Sequence, residues 1–153
     1  MKMTRKSIES RVNRLLSRLS LDKVFPIPVE KIANELGIQL KPYDFGNDIS
    51  GLLLIENGKA VIGYSEKESN VRKRFTIAHE LGHYELHSNK DELFISKNKI
   101  GILFRDGKSK KGEYQQEIEA NNFAAALLMP EDMVRKNAKK YWDLPDEIML
   151  QEL

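Results

Sequence analysis

Over the first twenty residues the apolar positions Ile8, Val12, Leu15, Leu16 and Leu19 recur at helical spacing with Arg and Ser between them. This predicts an N-terminal amphipathic helix within residues 1–20, packed by one stripe. The "FPIP" segment ends it, because a proline disfavours helical backbone at the residue before it. Val29 to Leu36 predicts a second, short helix stopped by Gly37. Its text, "VEKIANELGI", is like the opening helix of a helix-turn-helix, but the "QLKPYDF" that follows is strand-like and interrupted by a proline. No recognition helix arrives to enter a groove. In "SGLLLIENGKAVIGY" two apolar runs flank Asn57-Gly58, the pair favoured in a type I′ turn, which predicts a β-hairpin. A long helix is expected from about Val71 to His87. Ser88 to Gly112 reads as loop with one strand at Ile100 to Phe104. A third strong helix is expected over about Glu113 to Leu128, stopped at Pro130, with a short polar helix to Tyr141.

The 153 residues, 41% of them hydrophobic, suit one domain with one core, and a single domain over 1–153 is expected. With 25 basic and 23 acidic residues the net charge is +2, too mild to imply nucleic-acid binding. The basic clusters at Arg5 to Arg18, Lys108 to Lys111 and Arg135 to Lys140 read as solvated faces. The absence of cysteine excludes disulfides and thiolate sites, so any metal must be held by His, Asp or Glu. The N-terminal stretch lacks the apolar run of a signal peptide or membrane span, and a soluble cytoplasmic protein is expected.

All three histidines, His79, His83 and His87, fall within nine positions, with Glu80 after the first. His79 and His83 are four apart on the predicted helix, so both imidazoles can meet one ion. Glu80 lies beside the pair, where a carboxylate can reach a reacting water without being a ligand. This is the HExxH arrangement of zinc metallopeptidases. At about 100° per residue, Val71, Phe75, Ala78, Gly82 and Leu86 form the expected buried stripe, with His79 and His83 at its edge. The alternative is an ordinary helix with polar or core-satisfied histidines. Two neutral histidines at a core margin need partners, and a metal supplies both. Gly82 costs roughly 1 kcal/mol relative to Ala in a helix, which a closely passing backbone or substrate would offset. His87 stands about 12 Å along the axis from His79, whereas nitrogens on one zinc are at most about 4 Å apart. It is therefore not a ligand, and is left as a rim residue, a partner behind a ligand, or surface.

The third ligand must come from another element, and "GEYQQEIEANNFAAALLMP" offers Glu113, Glu117 and Glu119. Ala120, Phe123, Ala124, Leu127 and Leu128 define the buried stripe of this helix. Glu117 lies at one margin with Asn121 one turn on, and Glu119 falls near the opposite margin. Glu117 is preferred, because Asn121 can then hydrogen-bond a ligand histidine. Zinc is the expected ion, and Mn2+ or Fe2+ also suits a His, His, Glu site.

"RFTIAHELGHYELH" followed by "EIEANNFAAALLMP" resembles the paired signature of the ImmA/IrrE family of metallopeptidases, over about residues 28–130. The expected fold is α+β and zincin-like: a small antiparallel or mixed sheet, with a β-hairpin packed on the HExxH helix and a second ligand-bearing helix. The resemblance implies zinc ligands His79, His83 and Glu117 and the general base Glu80, in a gluzincin-like site. Members of the family, often from phages, mobile elements or stress systems, cleave a helix-turn-helix repressor. A regulatory endopeptidase acting on such a protein is thus implied, with no direct contact to nucleic acid or membrane. Against the family pattern, where relatives often continue beyond the second motif, the short stretch after it is expected to leave a substrate-selecting extension missing or replaced, and DNA contact is expected to fall to a partner because no helix-turn-helix is read at the front.

The expected mechanism lays a peptide along the sheet edge near the hairpin, with Glu80 moving the proton from water to the leaving amine. Tyr84, His87 and Tyr114 are candidates for a second electrophile. One rival is a zinc-stabilised, non-catalytic module that binds a repressor or other protein. A structural site, however, has no use for Glu80 and tends to close its fourth position. A second rival, a basic nucleic-acid binder with an incidental motif, predicts strongly salt-dependent DNA binding.

Overall fold

The computed structural model describes residues 2–97 and 111–141. Helix α1, Arg5–Arg18, begins where the Thr4 side chain accepts a hydrogen bond from the Ser7 N–H. It buries Ile8, Val12, Leu15 and Leu16, the expected stripe. Helix α2, Val29–Glu35, ends before Gly37, whose φ of +75° suits a residue without a Cβ. It leads into strand β1, Ile38–Tyr43, rather than into a second helix.

Strands β2, Ile49–Glu56, and β3, Lys59–Ser65, form the predicted hairpin, with Glu56 opposite Lys59. Asn57 and Gly58 have φ of 52° and 75°, the two positive values a type I′ turn requires. Strand β4, Glu92–Lys97, pairs antiparallel with β2, and β1 pairs parallel with β3, giving the order β1-β3-β2-β4. Pro42 sits on an edge strand, where a missing N–H is tolerated. Both hairpin strands are therefore interior, and the edges of the sheet are β1 and β4.

Helix α3, Asn70–His87, packs on β2 and β3, and helix α4, Lys111–Leu128, packs along α3, with α1 against α4. Helix α5, Glu131–Tyr141, follows. Leu53, Ile62 and Phe94 of the sheet, Ile77 and Leu81 of α3, and Phe123 and Leu127 of α4 meet in the core. Each such side chain stabilises by roughly 1.5–3 kcal/mol when fully buried. The expected α+β class, with a small mixed sheet, a hairpin and two site-bearing helices, is the one observed. Among the described residues no helix is long and apolar enough to cross a membrane.

Two expectations are corrected. The stretch read as loop contains β4, whose alternation buries Phe94 and Ser96 and leaves Leu93 and Ile95 exposed; the strand expected at Ile100 to Phe104 lies outside the described residues. The stripe projected on α3 also differs. Val71 and Phe75 are 76% and 41% exposed, while every residue from Thr76 to His83 is buried. With the sheet on one side and α4 on the other, the middle of α3 is covered all round and has no single inner stripe.

Candidate metal centre

The covered middle of α3 places His79, Glu80 and His83 in the interior, and α4 brings Glu117 across to them. His83 Nε2 lies 2.9 Å from Glu117 Oε1, and His79 Nε2 lies 3.0 Å from Glu117 Oε2. One ligand atom from each of the three side chains falls within 4.8 Å of the others. The His79 contact lacks the alignment of a hydrogen bond, so this buried nitrogen has no hydrogen-bond partner among the described residues. A buried ring nitrogen facing a carboxylate and a second imidazole is a donor set that fits a divalent metal such as zinc. The other ring nitrogens are engaged behind the site. His79 Nδ1 is 2.8 Å from Asn121 Oδ1, which accepts its proton, and His83 Nδ1 is 3.0 Å from His87 Nδ1. Phe94 of β4 stacks on His83, with ring centroids 4.7 Å apart.

Glu80 is fully buried next to this cluster. Its Oε1 accepts a 2.6 Å hydrogen bond from Ser96 Oγ, and its Oε2 has no hydrogen-bond partner among the described residues. Burial pushes its pKa up to about 7, against the opposing pull of His79 and Ser96. Burial alone would also raise Glu117, but the two imidazoles reverse this and hold it at about 2. The rings respond differently. Burial lowers both, yet Glu117 and Glu80 outweigh it at His79, which is raised, while His83 stays lowered. Burial and the neighbouring His83 bring His87 down to about 4.

A cleft of about 370 Å³ opens onto His79, Glu80 and Glu117, with Val71 and Phe75 on its wall and Ser96 and Lys97 of β4 along one side. A larger hollow of about 640 Å³ between α1, α4 and α5 holds no such cluster among the described residues. His87 is inside the protein, its side chain 7% exposed, so the surface and rim options for it fall away. Tyr84 packs against the core and Tyr114 is half-buried on α4, and neither lines the cleft. Glu119, expected near the opposite margin of its helix, is buried beside His87. Sequence reasoning missed Ser96 and Phe94, and offered Glu119 only as an alternative ligand. In "ELFISK" three apolar residues run together, so the burial alternation that turns Phe94 and Ser96 inward leaves no clear mark in the sequence.

A protein of Bacillus phage phi105 named uncharacterized immunity region protein 2 is 24% identical over 139 residues, covering 91% of this chain and 78% of that protein. Residues 33–150 match the peptidase M78 family, IrrE N-terminal-like domain. This match spans β1 to α5 and includes both helices that converge on the cluster. On that match, with a phage relative alongside it, the chain belongs to the ImmA/IrrE family of peptidases.

Proposed function

We propose that the protein is a zinc-dependent endopeptidase that makes a limited cut in a protein substrate, a helix-turn-helix transcriptional repressor. The observation that carries this reading is Glu80: a buried carboxylate with one oxygen anchored by Ser96 and the other without a hydrogen-bond partner among the described residues, at a cleft beside three convergent side chains. His79, His83 and Glu117 would hold the ion, with Glu80 as the general base. When bound, zinc acts as a Lewis acid on the scissile carbonyl and makes water a stronger nucleophile at neutral pH. Glu80 Oε2 takes the proton of the attacking water and delivers it to the leaving amine, a role suited to a carboxyl whose pKa burial has raised toward neutrality. The substrate adds as a strand to the outer edge of β4, which has no partner strand among the described residues. Asn121 and His87 orient the two imidazoles from behind. The phage relative's name, immunity region protein, supports a repressor as substrate, since phage immunity rests on repression.

The test is incubation of zinc-loaded protein with the helix-turn-helix repressor encoded nearest its gene, read by intact-mass spectrometry. A single defined cut by wild type and none by Glu80→Gln, at equal zinc content, is expected. An uncut repressor with wild type, or equal cutting by the variant, would overturn the proposal.

A further inference from the structure

We infer that Glu119 is a positioning residue for the metal centre, acting through His87 on the ring of His83. This rests on the reading of His83 as a metal ligand. His83 turns Nε2 toward Glu117 and the other ligands, so a neutral ring binding through Nε2 carries its proton on Nδ1. That Nδ1 is 3.0 Å from His87 Nδ1, and two ring nitrogens at this distance share one proton. His83 therefore donates and His87 accepts, which leaves the proton of His87 on its own Nε2.

The His87 Nε2 is buried 3.9 Å from Glu119 Oε2, and neither atom has a hydrogen-bond partner among the described residues. A buried N–H and a buried carboxylate oxygen facing one another are matched in sign and direction, and a small side-chain rotation closes the gap to a hydrogen bond. The chain Glu119, His87, His83 then runs one way only, with each donor fixed by the acceptor behind it. Phe94, stacked on His83, sets the plane of that ring, and the hydrogen bond from Nδ1 sets which edge faces the metal. The supports of the two imidazoles differ in length: His79 reaches α4 directly at Asn121, and His83 reaches the same helix through His87 and Glu119. One helix thus supplies the ligand Glu117 and both outer supports.

The experiment measures zinc affinity by chelator competition, with the visible spectrum of the cobalt-substituted full-length protein as a second readout. Wild type is compared with Glu119→Leu, His87→Leu, the double variant and Glu119→Gln, each checked for folding by circular dichroism in chelator. His87→Leu and Glu119→Leu should each weaken binding by roughly 10–100-fold and alter the cobalt bands, and the double variant should be no weaker than His87→Leu alone. Wild-type affinity in Glu119→Leu, or losses that multiply in the double variant, would overturn the inference while leaving the metal centre standing. Should the leucine variants not fold, Glu119→Gln and His87→Gln, singly and together, decide on the same criterion of non-additivity. A wild type that takes up neither zinc nor cobalt would remove the metal centre itself, and the inference with it.

Discussion

Gly82 of α3 lies against Ala120 of α4 so closely that a Cβ at position 82 would stand 3.1 Å from both the Cα and the carbonyl oxygen of Ala120, and 3.0 Å from Phe123 Cβ. The missing side chain sets the distance between the two helices that carry the ligands. Gly82→Ala gains about 1 kcal/mol of helix propensity but overpacks the contact by about 1–3 kcal/mol. Because the nearest atoms are mostly backbone, the second effect should prevail. Urea denaturation should give a lower midpoint, and zinc affinity should fall as α4 is displaced. A variant as stable and as zinc-avid as wild type would contradict this.

Removing a ligand should remove the metal and its stabilisation together. His83→Ala and Glu117→Ala are expected to purify without zinc, whereas wild type carries about one ion per chain, the number one three-ligand site holds. Zinc at a hundred times its dissociation constant should stabilise wild type by about 2.7 kcal/mol. Thermal unfolding with and without zinc should reveal that shift in wild type alone.

The pKa of Glu80 is raised on folding from 4.5 to about 7, chiefly by burial. The folded state therefore binds more protons than the unfolded chain between these values, and stability present below pH 4.5 is lost as the pH rises toward 7. The shift corresponds to roughly 3 kcal/mol at full effect. In chelator, Glu80→Gln should match wild type near pH 4 and exceed it in stability at pH 8. A difference that stays flat with pH would refute the assignment of this cost to Glu80.

Ser96→Ala takes away the donor that draws the Glu80 pKa down. Hydrogen bonds to charged groups contribute roughly 1.5–3 kcal/mol, so cleavage should slow by about an order of magnitude or more, and the acidic limb of the rate profile should move to higher pH. Zinc content should not change, because Ser96 touches the base and none of the ligands. An unchanged profile would detach Ser96 from the site.

The hairpin was legible because Asn57-Gly58 encodes its turn locally, and the HExxH pair because four residues make one helical turn. The i, i+4 spacing of Glu117 and Asn121 was legible, and in the structure Asn121 lies 2.8 Å from the His79 ring while Glu117 faces both imidazoles. What the sequence hid was long-range. The parallel register of β1 on β3, Ile38 opposite Ala60, leaves no local mark. Strand β4 was obscured because Leu93 and Ile95 are apolar on its exposed face, which blurs the alternation. The projection of α3 failed at Val71 and Phe75 because they wall a cleft, and it drew a single stripe where the helix, covered on both sides, buries every residue from Thr76 to His83.

The confinement of Glu80 has a thermal consequence. A Cβ on Gly51 would stand 3.3 Å from Glu80 Oε1 and 2.5 Å from Thr76 Cγ2, so β2 closes behind a carboxylate that Ser96 already grips from β4. The rotational freedom of this side chain is surrendered once, when the chain folds, and not again at each encounter with a peptide. On its proposed role, the activation entropy of cutting owes little to the base finding its place. The temperature dependence of the reaction should then be governed by the enthalpy of breaking the bond.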